Sequence, residues 1–196
     1  MVAVGFAPGW GSCPILPGLP ERNSMPKITK LNAIDRLMLD KLKLSGLTLT
    51  DAQLLQMHAY GAEELEAMGH NKARAGFHIP YFTLEGEPSG FHRVRYLEDP
   101  PLNGFGFRDK KAQRYSQLPG TLNEVYLPPS VPWVEAAAAV SIPIYITEGE
   151  LKAACACKHD FITMGLGGVF NFMAQKHGFK QLPIFDEFSW ALRPVY

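Results

Sequence analysis

Only three of the 196 residues are cysteine, Cys13, Cys155 and Cys157. An odd count with one close pair cannot build a disulfide framework and suits a reducing compartment, which argues against a secreted disulfide scaffold. Net charge is absent as well. Nineteen basic and nineteen acidic side chains cancel, so no global positive field marks a nucleic-acid binder, and such contact would need a local patch. No apolar run reaches the roughly 18 residues that span a bilayer; the stretch from Ala136 to Ile146 is broken by Ser141 and Pro143. The expectation is a cytoplasmic protein with no membrane partner. Neither an internal repeat nor a low-complexity tract is visible. No G-x-S-x-G elbow occurs, which removes the common serine hydrolase reading. The histidines His58, His70, His78, His92, His159 and His177 lack H-E-x-x-H spacing, and Cys155 and Cys157 point to nearly opposite sides of a predicted helix, so zinc is not expected.

What the chain does have is apolar substance: 46% hydrophobic residues, with 12 Phe and 7 Tyr, enough to offset the entropy of ordering a core. The exception is the start. Residues 1–28 are interrupted by Gly and Pro, lack the basic opening of a signal peptide, and are expected to be a disordered leader. Met25 opens a more ordinary beginning, MPKITKLNAIDRLML, so an over-extended reading frame is one explanation of the first 24 residues.

Residues 29–140 are read as a helical and β-hairpin module. Asn32 to Leu44 carries apolar residues at a helical period, with Asn32 as N-cap and Gly46 as stop. DAQLLQMHAYG after Thr50 and then GAEELEAMGH predict two further short helices. Phe77 to Leu84 and Phe91 to Leu97 predict two strands joined by a turn around Glu85-Gly86-Glu87-Pro88. Asp99 to Gly120 reads as a basic loop or flap, Glu124 to Leu127 as a short strand, and Val134 to Val140 as a short helix.

Residues 141–196 turn α/β. The pattern predicts a strand at Pro143 to Thr147, a helix from Gly149 to Lys158, a strand at Phe161 to Met164, and a Gly-rich turn opening a helix at VFNFMAQKH. Strand, helix, strand in this order implies a parallel crossover. Leu192 to Tyr196 resembles the first residues of another strand, which suggests that the natural protein continues.

The sharpest feature is YITEGELKAACACKHDFITMGLGGVFNF, Tyr145 to Phe172. Open α/β sheets bind ligands where strands hand over to helices. Glu148 is expected at that rim with its carboxylate exposed, because Gly149 allows a tight turn behind it. Glu150 falls in the first helical turn, where the macrodipole favours a negative charge, and helix stabilisation is the preferred role. Gly165-Leu-Gly167-Gly168 fits neither G-x-G-x-x-G nor the Walker pattern, so a plain strand–helix turn is preferred over a phosphate loop.

These residues resemble a known family. The strand-Glu-Gly-helix pattern is similar to the first motif of Toprim domains, found in bacterial-type primases, topoisomerases and some nucleases. TEGELKA followed by GLGGVFNF resembles the Toprim-like domain of phage and plasmid primase-helicase proteins, as do the upstream RVRY, KKAQRYSQLPGT and VYLPP. The resemblance spans roughly Leu44 to Phe172, with Gly149, Glu150, Lys152, Gly165, Gly167 and Gly168 as motif-supporting positions. It implies that Glu148 is a catalytic carboxylate and a magnesium ligand, acting with a later Asp-x-Asp pair. No Asp-x-Asp occurs in these 196 residues, and the cysteine-rich zinc module of bacterial primases is also missing. Several carboxylates are needed to fix two metal ions, so Glu148 alone is not expected to support phosphoryl transfer.

Arg93, Arg95, Lys110, Lys111, Arg114 and Tyr115, with Tyr96 and Arg108 beside them, form a basic and aromatic set of the kind that tracks single-stranded DNA. Glu98 and Asp99 interrupt it, and a solvated hairpin face is the alternative. The whole reads as an α+β protein: an N-terminal helical and hairpin module, then an incomplete parallel Toprim-like half-domain. The implied function is that of a mobile-element DNA replication protein, with DNA and a helicase domain or other replication protein as partners. A non-catalytic nucleic-acid-binding or regulatory module, or a decayed gene product, is the rival.

Overall fold

A computed structural model of the chain describes residues 31–70, 74–98, 113–174 and 178–196, and the expected leader and most of the expected flap lie outside them. The fold is α+β, built from two small sheets with helices packed on them.

Helix α1, Ala33–Lys43, begins at a capping box in which the Asn32 side chain accepts from the Asp35 N–H at 2.8 Å and the Asp35 carboxylate accepts from the Asn32 N–H at 3.0 Å. Met38 and Leu42, one turn apart, are its buried contacts. The chain leaves through Gly46 at φ +76°, where a Cβ would stand 2.8 Å from Cys155 Sγ. Helix α2, Leu49–Leu54, starts on a second capping box, Thr48 with Asp51.

The expected continuation of α2 through His58 and Ala59 does not form. Gln56 turns to φ 52°, and His58–Tyr60 becomes strand β1, paired antiparallel with strand β2, Gly76–Phe82. Helix α3, Ala62–Ala67, lies between them in sequence. Strand β3, Pro88–Tyr96, completes the expected hairpin, and β4, Tyr115–Gln117, adds an edge within the expected loop, giving the order β1-β2-β3-β4. Strand alternation sends Phe77, Ile79, Tyr81 and Phe91 into a core shared with α1 and α2, while Val94 and Tyr96 meet Leu65 of α3 on the opposite face.

The second sheet has the order β5-β7-β6. Strand β5 is Val125–Tyr126; after helix α4, Trp133–Ala138, come β6, Tyr145–Glu148, helix α5, Glu150–Lys158, and β7, Thr163–Leu166. Strands β6 and β7 are parallel, as a β-α-β unit requires, with Glu148 opposite Leu166, and β5 runs antiparallel to β7. On the far side of β6, Val195 bridges Ile144 in parallel, with the Ile146 N–H donating to Tyr196 O at 2.9 Å. The expected helix at VFNFMAQKH is absent from its described part: Val169 to Phe172 forms turns. A 3-10 helix, Pro183–Glu187, then packs Phe185 onto a second core around Trp133, Ile144, Met164 and Phe188.

Buried Arg193 closes this half. It donates to the carbonyls of Ala136, Ala137, Ile142 and Ser189 at 2.7 to 3.1 Å, capping the C-terminal end of α4 with a cation where the helix presents its partial negative charge. Among the described residues no helix is long and apolar enough to cross a membrane.

Candidate functional site

Glu148 is the last residue of β6, and it is exposed. The Gly149 N–H donates to Leu166 O at 2.7 Å, holding the β6 and β7 ends together. Gly149 sits at φ +101°, with nothing within 4 Å of where a Cβ would project, so backbone conformation alone asks for glycine there. The carboxylate therefore stands at the C-terminal rim of two parallel strands, and among the described residues no cation pairs with it. Lys152, one turn into α5, is also exposed.

Glu150 lies in the first turn of α5, where its expected helix-stabilising role puts it, and it makes a buried pairing as well. It is 1% exposed and accepts from Tyr81 Oη at 2.7 Å and from Arg93 Nη1 at 2.6 Å. The same Arg93 nitrogen donates to Gly167 O at 3.0 Å. One guanidinium thus ties β3, the start of α5 and the turn after β7 together. Burial first, and then the neighbouring carboxylate, hold the Tyr81 hydroxyl well above its ordinary pKa. For Arg93 burial acts against the charge, but Glu150 and Tyr81 outweigh it and raise its pKa. Three atoms around this pair are buried without a partner among the described residues: Arg93 Nε, Glu150 Oε2 and Tyr126 Oη.

The glycines of the turn follow from these contacts. A Cβ on Gly167 would fall 2.4 Å from Arg93 Nη1, and one on Gly165 would lie 3.2 Å from both Ala153 Cβ and Tyr126 Cβ. Gly168 meets only Asn171, at 3.4 Å. Gly167 is a socket for an arginine, which accounts for it without a bound phosphate.

The basic strip is redistributed in the same way. Arg93 faces inward, and Arg93 and Arg95 both lie over the Tyr115 ring, 4.8 and 5.0 Å from its centroid. Arg95 Nη1 also contacts the Tyr115 hydroxyl. Of the predicted nucleic-acid contacts, Arg114 is exposed, while Lys110 and Lys111 lie outside the described residues. The stack explains why aromatic and basic residues interleave here without invoking a bound strand.

The magnesium implied by the Toprim resemblance does not fit the described residues. Among them no group of three His, Cys, Asp or Glu side chains is placed to hold an ion, and Glu148 offers one carboxylate.

Sequence reasoning missed a histidine cluster on the outer face of the first sheet. His70 Nε2 and His92 Nε2 lie 2.9 Å apart, and His70 Nδ1 is 3.0 Å from Ser116 Oγ. The His78 ring is 4.8 Å from that of His92, and His58 pairs with His78 across β1 and β2. Burial lowers His70, His78 and His92, with His78 brought to about 4.

A family model described as a domain of unknown function, DUF3854, matches residues 132–184, a stretch running from the start of α4 into the 3-10 helix and including Glu148, Glu150 and the glycine turn. No curated protein and no solved structure matches the chain.

Proposed function

We propose that the chain is a Toprim-like part of a cytoplasmic DNA replication protein of a phage or plasmid, and that it engages single-stranded DNA through exposed basic side chains such as Arg114, with the bound strand running past the Glu148 rim. The observation that carries this reading is Glu148, exposed at the C-terminal end of a parallel strand beside a second strand end. That is where open α/β sheets gather ligands. Phosphoryl transfer needs more fixed carboxylates than Glu148 supplies, so the role proposed for these residues is binding.

A regulatory or purely structural module is the second reading. It is favoured by the buried Arg93–Glu150 pair, which gives the motif a packing role independent of any ligand.

Photocrosslinking separates the two. With a benzoylphenylalanine in place of Glu148, capture of a single-stranded oligonucleotide is expected, and the same probe in place of Asp40 on α1 should capture none. The unsubstituted chain should synthesise no primer with magnesium. Absence of oligonucleotide binding by fluorescence anisotropy, or equal capture at both positions, overturns the replication reading.

A further inference from the structure

We propose that the cleft between the end of the β2–β3 hairpin and the 3-10 helix binds a small organic cation, an ammonium or guanidinium group carried on an apolar stem. This goes beyond the rim reading and shares no residue with it.

The cavity measures about 500 Å³, inside the roughly 300–1,000 Å³ typical of small-ligand sites. Three distant stretches of chain build it: Phe82 to Glu85 with Ser89, Leu122 to Val125, and Leu182 to Ile184 with Glu187. It therefore exists only once the hairpin has docked on the second half. Phe82, Leu84, Leu122 and Ile184 make its walls apolar. Such walls suit a hydrocarbon stem or ring and leave few polar groups to orient it.

Beside the neutral Thr83, Ser89 and Asn123, the charged groups in the lining all carry the same sign. Glu124 is half-buried in the wall, and Ser89 Oγ donates to its Oε2 at 2.6 Å. Glu85 and Glu187, both exposed, add two more carboxylates, and among the described residues no lysine, arginine or histidine lines the cavity. Burial pushes the Glu124 carboxyl above its ordinary range, and the Ser89 hydrogen bond offsets this only in part. A carboxylate taken partly out of water and given only a hydroxyl lacks the counter-charge that would compensate its desolvation. A ligand cation supplies that charge. An anion would be repelled by three carboxylates, and a neutral ligand would gain only the walls.

The test compares three probes that share a ring and stem and differ in the head group: 2-phenylethylammonium, 2-phenylethanol and 3-phenylpropionate. Each is titrated calorimetrically into the full chain at pH 7.5. The ammonium is expected to bind, the alcohol at least tenfold more weakly, and the propionate not at all. Glu124→Gln should weaken the ammonium at least tenfold and leave the alcohol unchanged. A lysine side chain carries the same head group, so an acetylated Ala-Lys-Ala amide is titrated alongside. Binding of the peptide alone would assign the site to a partner's lysine and overturn the small-molecule proposal. Should Glu124→Gln fail to fold, Leu122→Trp fills the cavity from its wall and must abolish binding. Equal affinity for the three head groups, or no heat from the ammonium up to about 10 mM, a free energy near 3 kcal/mol, overturns it too.

Discussion

Arg93 and Glu150 meet at 2.6 Å across 57 residues of sequence, one from the third strand of the first sheet and one from the first turn of α5. With side chains only 13% and 1% exposed, they are the charged contact through which the hairpin grips the β-α-β unit. Removing one partner strands the other charge, whereas removing both lets apolar groups fill the space. Glu150→Ala is therefore expected to cost about 3 to 5 kcal/mol in urea unfolding, with Arg93→Met similar. The double change Arg93→Met with Glu150→Leu should cost clearly less than the two single changes added together. Additive costs would mean that the pair is not energetically coupled.

The glycines at the rim should rank by cause. Gly167→Ala forces Arg93 from its carbonyl, because the new Cβ would lie 2.4 Å from Nη1; a loss of about 1 to 3 kcal/mol is expected, as for overpacking. Gly149→Ala strains a backbone at φ +101° without any clash, at a cost of about 1 to 3 kcal/mol. Gly168→Ala meets only Asn171 at 3.4 Å and should stay within about 0.5 to 1 kcal/mol. The Gly167 effect should also shrink in an Arg93→Met background, whereas the Gly149 effect should not. Thermal unfolding of these variants reads the order directly.

Glu148 should behave in the opposite way to Glu150. It is exposed and unpaired among the described residues, so Glu148→Gln is expected to change stability by less than about 0.5 kcal/mol. Two glutamates two residues apart would then differ by several-fold in stability effect. A large loss from Glu148→Gln would show that the carboxylate makes an internal contact.

That contrast also marks how far the sequence was legible. Glu148 at the rim is a local inference, because an apolar strand, a glycine and a helix in succession leave few other places for the carboxylate. The N-cap at Asn32 is local too, whereas α2 starts from Thr48, two residues before the Thr50 that the sequence offers. The buried pairing of Glu150 is not legible, because its partners, Tyr81 and Arg93, lie 69 and 57 residues away, and nothing near α5 signals them. Arg93 was read as a surface cation since charge in a hairpin is usually solvated; only the fold shows it filling the Gly167 socket. The switch from α2 to β1 turns on Gln56 at φ 52°, a conformation that a glycine or asparagine would have advertised and a glutamine does not. The histidines are scattered along the chain and converge only through strand register.

That convergence makes an acid response predictable. With Nε2 facing Nε2 at 2.9 Å, His70 and His92 form a bond in which one ring donates and the other must stay neutral to accept. Protonating the acceptor sets two donors against each other, beside the His78 ring and opposite exposed His58. Burial lowers all three inner rings, His78 from 6.5 to about 4, and the other imidazoles add to the effect on His70 and His78. The sign follows from linkage: a folded-state pKa below the unfolded one means that the unfolded chain takes up protons first as pH falls. Stability should be level above about pH 7.5 and decline from about 6.5 downward, the His78 share continuing to about 4. Because His78 and His92 are partly exposed and screened, the loss between pH 7.5 and 5 is expected to be on the order of 1 kcal/mol. Asp51, whose pKa lies below its ordinary 3.8, does not contribute in that interval. Replacing His92 with Gln keeps an amide that can hydrogen-bond His70 but cannot titrate, and should make the decline shallower by the share of His92 while the burial of His70 and His78 sustains the rest. Urea midpoints of both proteins at pH 7.5, 6.0 and 5.0 make the comparison. A decline as steep in the His92→Gln protein as in the parent would mean that His92 takes no part in the acid response, which burial of His70 and His78 would then set alone.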